Sequence, residues 1–376
     1  MNEQPDSASS VTPVEQPPRL KSLDALRGFD MFWIAGGDAL ATGILSRFPS
    51  PAAERLKNQF EHVEWEGFRF YDLIFPLFMF LVGCVIPFSL EKFRERPTSA
   101  YARILRRTAL LFLLGVIANG LFKFDFANLR YAGVLQRIAI CYGIAAILFV
   151  NLRLKGQALA VAAILLGYWA VLALVPVPGG TAGDFTKEGN LGGYLDRMFL
   201  PGKIMQAYYG YGDNEGLLST IPAVATVLLG ALAGQWLKSL RSGWIKAAGL
   251  LASGILCIAL GTLWGQTFPI IKNLWTSSFV LLTTGWSLLL LCFFYTVIDV
   301  LRLQKWSIVW TVIGMNAITI YIAPRFIDFS KMASFFLGGI ATLSGDWSTV
   351  VLTAGSLFAK WLFLYYLYRN RIFLRL

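Results

Sequence analysis

Among the 376 residues there is one histidine, His62, and there are four cysteines. A single imidazole, with thiols at Cys84, Cys141, Cys257 and Cys292 in no Cys-x-x-Cys spacing, cannot supply the ligands of a zinc site, so no metal is expected. Each cysteine sits inside an apolar stretch, where a thiol packs as a small hydrophobe. Charge is scarce too. Only 15% of residues are Asp, Glu, Lys or Arg against 56% hydrophobic, which is too apolar for a water-soluble domain of this length. The net charge of +11 is spread over polar connections with no legible basic groove or stacking platform, which excludes nucleic acid as a partner. The opening MNEQPDSASSVTPVEQPP has no apolar core of the kind a cleaved leader needs. Residues 1–18 are therefore expected to form a disordered cytoplasmic tail, and 19–376 one membrane domain.

What is abundant is apolar sequence in runs long enough to cross a bilayer. Ten candidates lie near 25–46, 70–90, 107–122, 134–151, 157–175, 217–237, 246–267, 275–299, 307–325 and 349–368. The expected fold is all-α: a polytopic helical bundle of about ten transmembrane helices, with the lipid bilayer as its first partner. The runs 25–46 and 307–325 carry enough Gly and polar residues to suggest discontinuous or cavity-lining helices. With the N-terminus inside, 19 of the 33 Lys and Arg fall on the cytoplasmic side, including LEKFRERPTSAYARILRR and RNRIFLRL, as the positive-inside bias requires. Both termini are then cytoplasmic. Three long connections, 47–69, 176–216 and 326–348, lie outside, and the first holds His62.

Ionisable and polar groups inside membrane segments are costly and by default mark a site or pathway. Here they are Asp38 late in the first segment, Asp72 at the start of the second, Arg137 in the fourth and Asn316 in the ninth. Asp38, Asp72 and His62 all fall toward the outer face, which suggests an outward-facing cavity, although each alone reads equally well as a helix cap or interhelical glue. Taken by residue type, His62 is a surface histidine, a packed neighbour of Trp65, or a general base able to take a proton near neutral pH.

RLKSLDALRGFDMFWIAGGDAL followed by HVEWEGFRFYDLIFPLFMFLVG resembles the catalytic core of the heparan-alpha-glucosaminide N-acetyltransferase family. Further matches follow in the same order: NLRYAGVLQRIA, GGYLDR, DNEGLLSTIPAVATVLLGALAG, IIKNLWTSSFV and GMNAITIYI. The resemblance runs over roughly 19–325 and is to the compact bacterial members, without the large extra-cytoplasmic domain of the lysosomal ones. It implies a bacterial inner-membrane acyltransferase that moves an acetyl group from cytoplasmic acetyl-CoA to a glucosamine-type amino sugar on the periplasmic side.

Carried over residue by residue, the resemblance puts the catalytic histidine on His62. A functional asparagine of the family falls on Asp38, where a carboxylate either orients His62, grips an acceptor ammonium, or, if protonated, donates a hydrogen bond. Arg27, with Arg103, Arg106 and Arg107, is the candidate set for the phosphates of acetyl-CoA. The substrate-binding candidates are Asp72, Asp196, Arg197, Asp213, Glu215, Lys272, Asn273, Asn316 and Arg137, with Trp65 and Trp275 as stacking or anchoring rings. For Asp213 and Glu215 a helix N-terminal role competes. A second function class stays open, an amino-sugar permease with the same cavity and no acyl transfer, and a homodimer is a possible working unit.

Overall fold

The structure is a computed structural model that describes residues 20–94, 97–205 and 209–374. The tail expected over 1–18, and Arg19, Arg96 and Arg375 of the basic set, lie outside the described residues. The chain is an all-helical bundle; among the described residues, extended pairing is limited to the isolated bridges Glu66–Ile271 and Arg130–Gly202.

All ten expected stretches are helical. They form α1 (Lys21–Phe32) continuing through a π-helical turn at Trp33–Gly37 into α2 (Asp38–Leu45), then α4 (Ile74–Leu90), α5 (Pro97–Ala118), α6 (Val134–Asn151) and α7 (Leu154–Leu174). In the second half they are α9 (Thr220–Lys238), α10 (Gly243–Trp264), α11 (Ser277–Tyr295), α12 (Ile308–Met315) with α13 (Ala317–Ile322), and α15 (Ser348–Arg369). Seven are long and apolar enough to cross a membrane, and α12 with α13 makes an eighth if that bent pair is one span. The remaining two are more polar. α1–α2 is broken by Gly36 at φ 121°, and α5 carries Arg103, Arg106 and Arg107 in its first half.

The outer connections contain helices of their own. α3 (Pro51–Lys57) starts where Ser50 Oγ accepts the amide of Ala53 at 3.1 Å, with proline at the first helical position. α8 (Leu191–Phe199) starts where Asn190 Oδ1 accepts the amide of Gly193 at 2.6 Å. The segment 326–348, expected as an outer connection, folds largely as α14 (Phe329–Leu343), packed on α15. Its apolar run is too short to register as a span, yet long enough to propagate a helix once Asp328 caps it.

Two close helix pairs set the frame. A Cβ added at Gly28 of α1 would meet the Trp310 carbonyl of α12 at 1.7 Å, and one at Gly83 of α4 would meet the Val227 carbonyl of α9 at 2.0 Å. Glycine at these positions lets the backbones touch, which replaces the hydrophobic driving force that lipid cannot supply. α4 runs through the centre, where Leu77, Phe80, Leu81 and Cys84 are buried, while α7, α10 and α15 lie at the periphery. The α12–α13 break bends by 62° at Asn316, opening the bundle interior on the side facing α1, α4 and α6.

Candidate active site

His62 follows the short helical turn after α3, and Asp72 is the third residue of the turn Phe70–Leu73 that leads into α4. His62 Nδ1 lies 2.8 Å from Asp72 Oδ1. The other carboxylate oxygen of Asp72 accepts the amides of Arg69 at 3.1 Å and Val63 at 3.4 Å, and Arg69 donates to the His62 carbonyl at 3.2 Å. Asp72 is thus 1% exposed yet fully used, and it fixes the imidazole from below while Tyr71 packs on its face at 4.8 Å.

A third group comes from 210 residues away. The Gly67 amide donates to the Ile270 carbonyl at 2.9 Å, which docks the 268–274 connection against the His62 loop. This places Lys272 Nζ 2.7 Å from His62 Nδ1, 3.2 Å from Nε2 and 3.2 Å from Asp72 Oδ1. A 2.8 Å contact between Nδ1 and a carboxylate oxygen requires a proton between them, so the consistent arrangement has Nδ1–H donating to Asp72. The lone pair is then on Nε2, with Lys272 donating to Asp72 while its ammonium lies against the face of the ring. Burial pushes the Lys272 ammonium below the usual lysine range, and the charge of Asp72 only partly restores it.

His62, Tyr71 and Lys272 line a cavity of 340 Å³ with Arg130, Asn214, Glu215, Asn273, Trp275 and Tyr321. Its rim is held by Arg130, whose guanidinium bonds Asp213 at 3.0 and 2.5 Å and also bonds Glu215. Burial opposes ionisation of Asp213, but the hydrogen bond and charge of Arg130, with the Met205 and Glu215 amides, outweigh it and hold the carboxyl below its ordinary range. One guanidinium thus faces two carboxylates, Glu215 on the cavity lining and Asp213 behind it. Asn214 adds a buried Oδ1 that has no hydrogen-bond partner in the structure.

A constriction of only 20 Å³ adjoins this cavity, with Ile34, Phe75, Val134 and Tyr321 in both linings. That constriction shares Phe78, Leu135, Ile138, Ala317 and Ile318 with a second cavity of 220 Å³, at the opposite end of the bundle, lined by Arg27 and Arg107.

The residues singled out in the sequence therefore fall into distinct places. Glu215, Lys272 and Asn273 line the outer cavity, with Asp72 directly behind His62. Asp213 is buried behind the rim in its pair with Arg130. Asp196 is buried on α8, accepting the Asp213 and Leu217 amides at 3.0 and 2.9 Å, and Arg197, next on the same helix, is exposed and donates to the Tyr211 carbonyl. Arg137 is buried, with Trp275 stacked on it at 5.0 Å and Ser219 and the Gly216 carbonyl as acceptors. Trp65 anchors the long outer connection by donating to the Phe185 carbonyl at 2.8 Å.

Asp38 is not brought to His62. It sits half-buried at the start of α2 as the charged neighbour of Lys360, whose Nζ donates to the Ala35 carbonyl at 2.6 Å. Of the four arginines, Arg27 and Arg107 share the inner cavity, whereas Arg103 is exposed over Phe93 and Arg106 is exposed. Asn316 is at the helix break, donating to the Ile372 carbonyl at 3.3 Å. Sequence reading missed Arg130, Asn214, Tyr71 and Tyr321; a lone arginine after a turn, 83 residues from its partner, leaves no periodic signal. Among the described residues no group of three His, Cys, Asp or Glu side chains is placed to hold a metal ion.

No family model matches the chain. It is 26% identical over 370 residues to the heparan-alpha-glucosaminide N-acetyltransferase of Homo sapiens, an alignment covering 81% of this chain and 52% of that protein. This chain is related to such proteins at the family level. The Mus musculus protein of the same name is 27% identical over 334 residues, covering 72% of this chain and 49% of its own length. The chain thus spans about half the length of the curated relatives it matches.

Proposed function

We propose that this protein is a membrane acetyltransferase, taking acetyl from acetyl-CoA at the Arg27–Arg107 end of the bundle and passing it to a glucosamine-type amine at the His62 end. The observation that carries the reading is the Asp72-oriented His62 in a cavity separated by one small constriction from a second cavity lined by two arginines. A histidine held by a buried carboxylate is the arrangement of a general base. A facilitative permease needs the passage but not that pair, which only a proton-coupled one would use.

The donor's phosphates are met by Arg27 and Arg107, and its pantetheine arm follows the apolar constriction, bringing the thioester to His62. From Phe75 to Val85 the path runs about 15 Å along α4, a length an extended pantetheine arm covers. The acceptor sits under Arg130 and Asn214, with its ammonium drawn by Glu215 and Asp72 and its surplus proton lost to water. As the amine attacks the thioester carbonyl, Nε2 of His62 takes the remaining proton. The C–N bond forms, the C–S bond breaks with its electron pair on sulfur, and His62 returns the proton to the thiolate. Asp72 stabilises the imidazolium between these steps. Lys272 stays on Asp72 and leaves the Nε2 lone pair open, its own affinity for a proton lowered by burial.

Sidedness follows from the distribution of basic residues: the arginine end faces the cytoplasm of a bacterial cell and His62 faces the periplasm. The test is release of free thiol from acetyl-CoA by detergent-purified protein with glucosamine added. Release that requires the amine supports transfer. Uptake of glucosamine by vesicles with no thiol released supports the permease.

A further inference from the structure

The chain beyond α15 does not fray away from the bundle. Arg371, at φ 57°, takes the left-handed position in which helices usually end on glycine; its amide donates to Tyr368 at 3.1 Å and that of Ile372 to Leu367 at 2.9 Å. Those two bonds close the α15 terminus and turn the chain back. An arginine in this conformation is strained, so contacts made beyond it have to sustain the reversal. Three such contacts are present. The Asn316 side chain bonds the Ile372 carbonyl, the Phe373 ring lies against Tyr368 at 6.5 Å, and Phe373 and Leu374 form part of the wall of the inner cavity beside Arg27 and Arg107. Leu374 remains 47% exposed, so the segment walls the cavity without being sealed into the core.

We infer that residues 370–374 are a displaceable plug of the inner cavity, latched by Asn316 at the helix break, which acetyl-CoA must move aside to enter. The inference rests on the reading of that cavity as the donor's entrance. It has a mechanical corollary: the latch is on the same broken helix whose Ala317 and Ile318 line the constriction, so withdrawal of the tail releases the residue at the hinge of the passage toward His62.

A plug seated most of the time lowers apparent donor affinity by the fraction of molecules that are open. The experiment is isothermal titration of acetyl-CoA into detergent-purified wild type, a chain stopped after Asn370, Phe373→Ala and Asn316→Ala. Phe373→Ala keeps the Asn316 latch and the two backbone bonds that close α15, and serves should the truncated chain fail to fold. The expected result is a dissociation constant lowered about tenfold for an open fraction near one tenth, most by truncation and less by either single change. Affinity unchanged or weakened in Phe373→Ala and Asn316→Ala overturns the plug while leaving the donor site standing. Absence of acetyl-CoA binding in every folded protein, wild type included, overturns the plug and the proposed function together.

Discussion

Nδ1 of His62 meets Oδ1 of Asp72 at 2.8 Å, while two backbone amides hold the other oxygen of the carboxylate. The ring is thereby fixed in orientation and tautomer before any substrate arrives. Replacing Asp72 by asparagine keeps the shape but presents an amide and removes the charge that stabilises imidazolium. The rate of acetyl transfer should fall by about a hundredfold to ten-thousandfold, with acetyl-CoA affinity little changed. Asp38→Asn, altering a residue beside Lys360, should leave the rate nearly intact. Steady-state kinetics on the two variants distinguishes the carboxylates, and a reversed order of effect would return Asp38 to the site.

Lys272 puts a second cation against the same carboxylate. Lys272→Met removes the donor to Asp72 Oδ1 and should lower the rate of transfer, whereas Lys272→Arg, which keeps a cation against Asp72, should retain most of it. Steady-state kinetics on both variants checks this; equal rates in the two would mean that the cation against Asp72 does not matter.

The Arg130–Asp213 pair is a stability element, and its pH sign can be worked out. A carboxyl held below its ordinary value contributes stability that is present above that value and lost as pH falls through the folded value. Arg130→Gln leaves Asp213 buried and unpaired, a change that costs on the order of 3 kcal/mol. Burial then governs Asp213, which prefers its proton in the folded state, so the variant recovers as the medium is acidified. The melting difference from wild type should be widest near pH 7 and narrow toward about pH 4. A gap that widens on acidification would mean the pair does not carry this term.

Sidedness has a direct readout. In a background lacking the natural cysteines, Arg55→Cys should react with a membrane-impermeant maleimide in intact cells and Lys92→Cys should not. The reverse pattern would put His62 in the cytoplasm.

The fold was legible because bilayer physics leaves few options: apolar runs of sufficient length become helices, and all ten runs did. α14 was not legible, since its fifteen residues fall below the span length and carry two adjacent glycines that read as a turn. The site was legible in its centre and not at its edges. His62 stood out by rarity, and Asp72 by being ionisable in an apolar run, but periodicity does not say which carboxylate a ring will meet. Asp38 and Asp72 both lie toward one face, and only the docking of Gly67 on Ile270 and the turn after Arg69 decide between them. Asp196 and Asp213 show the converse: acids in a polar loop read as ligand contacts, and the fold uses them to bind amides and Arg130.

The central claim is that His62 is the base for acetyl transfer, and the most direct measurement is turnover of acetyl-CoA and glucosamine by His62→Ala, with donor affinity measured on the same preparation. The account predicts that acetylated amine is lost while acetyl-CoA still binds as in the wild type, because a base acts on the transition state and not on the bound donor. Near-normal turnover in the variant would contradict it.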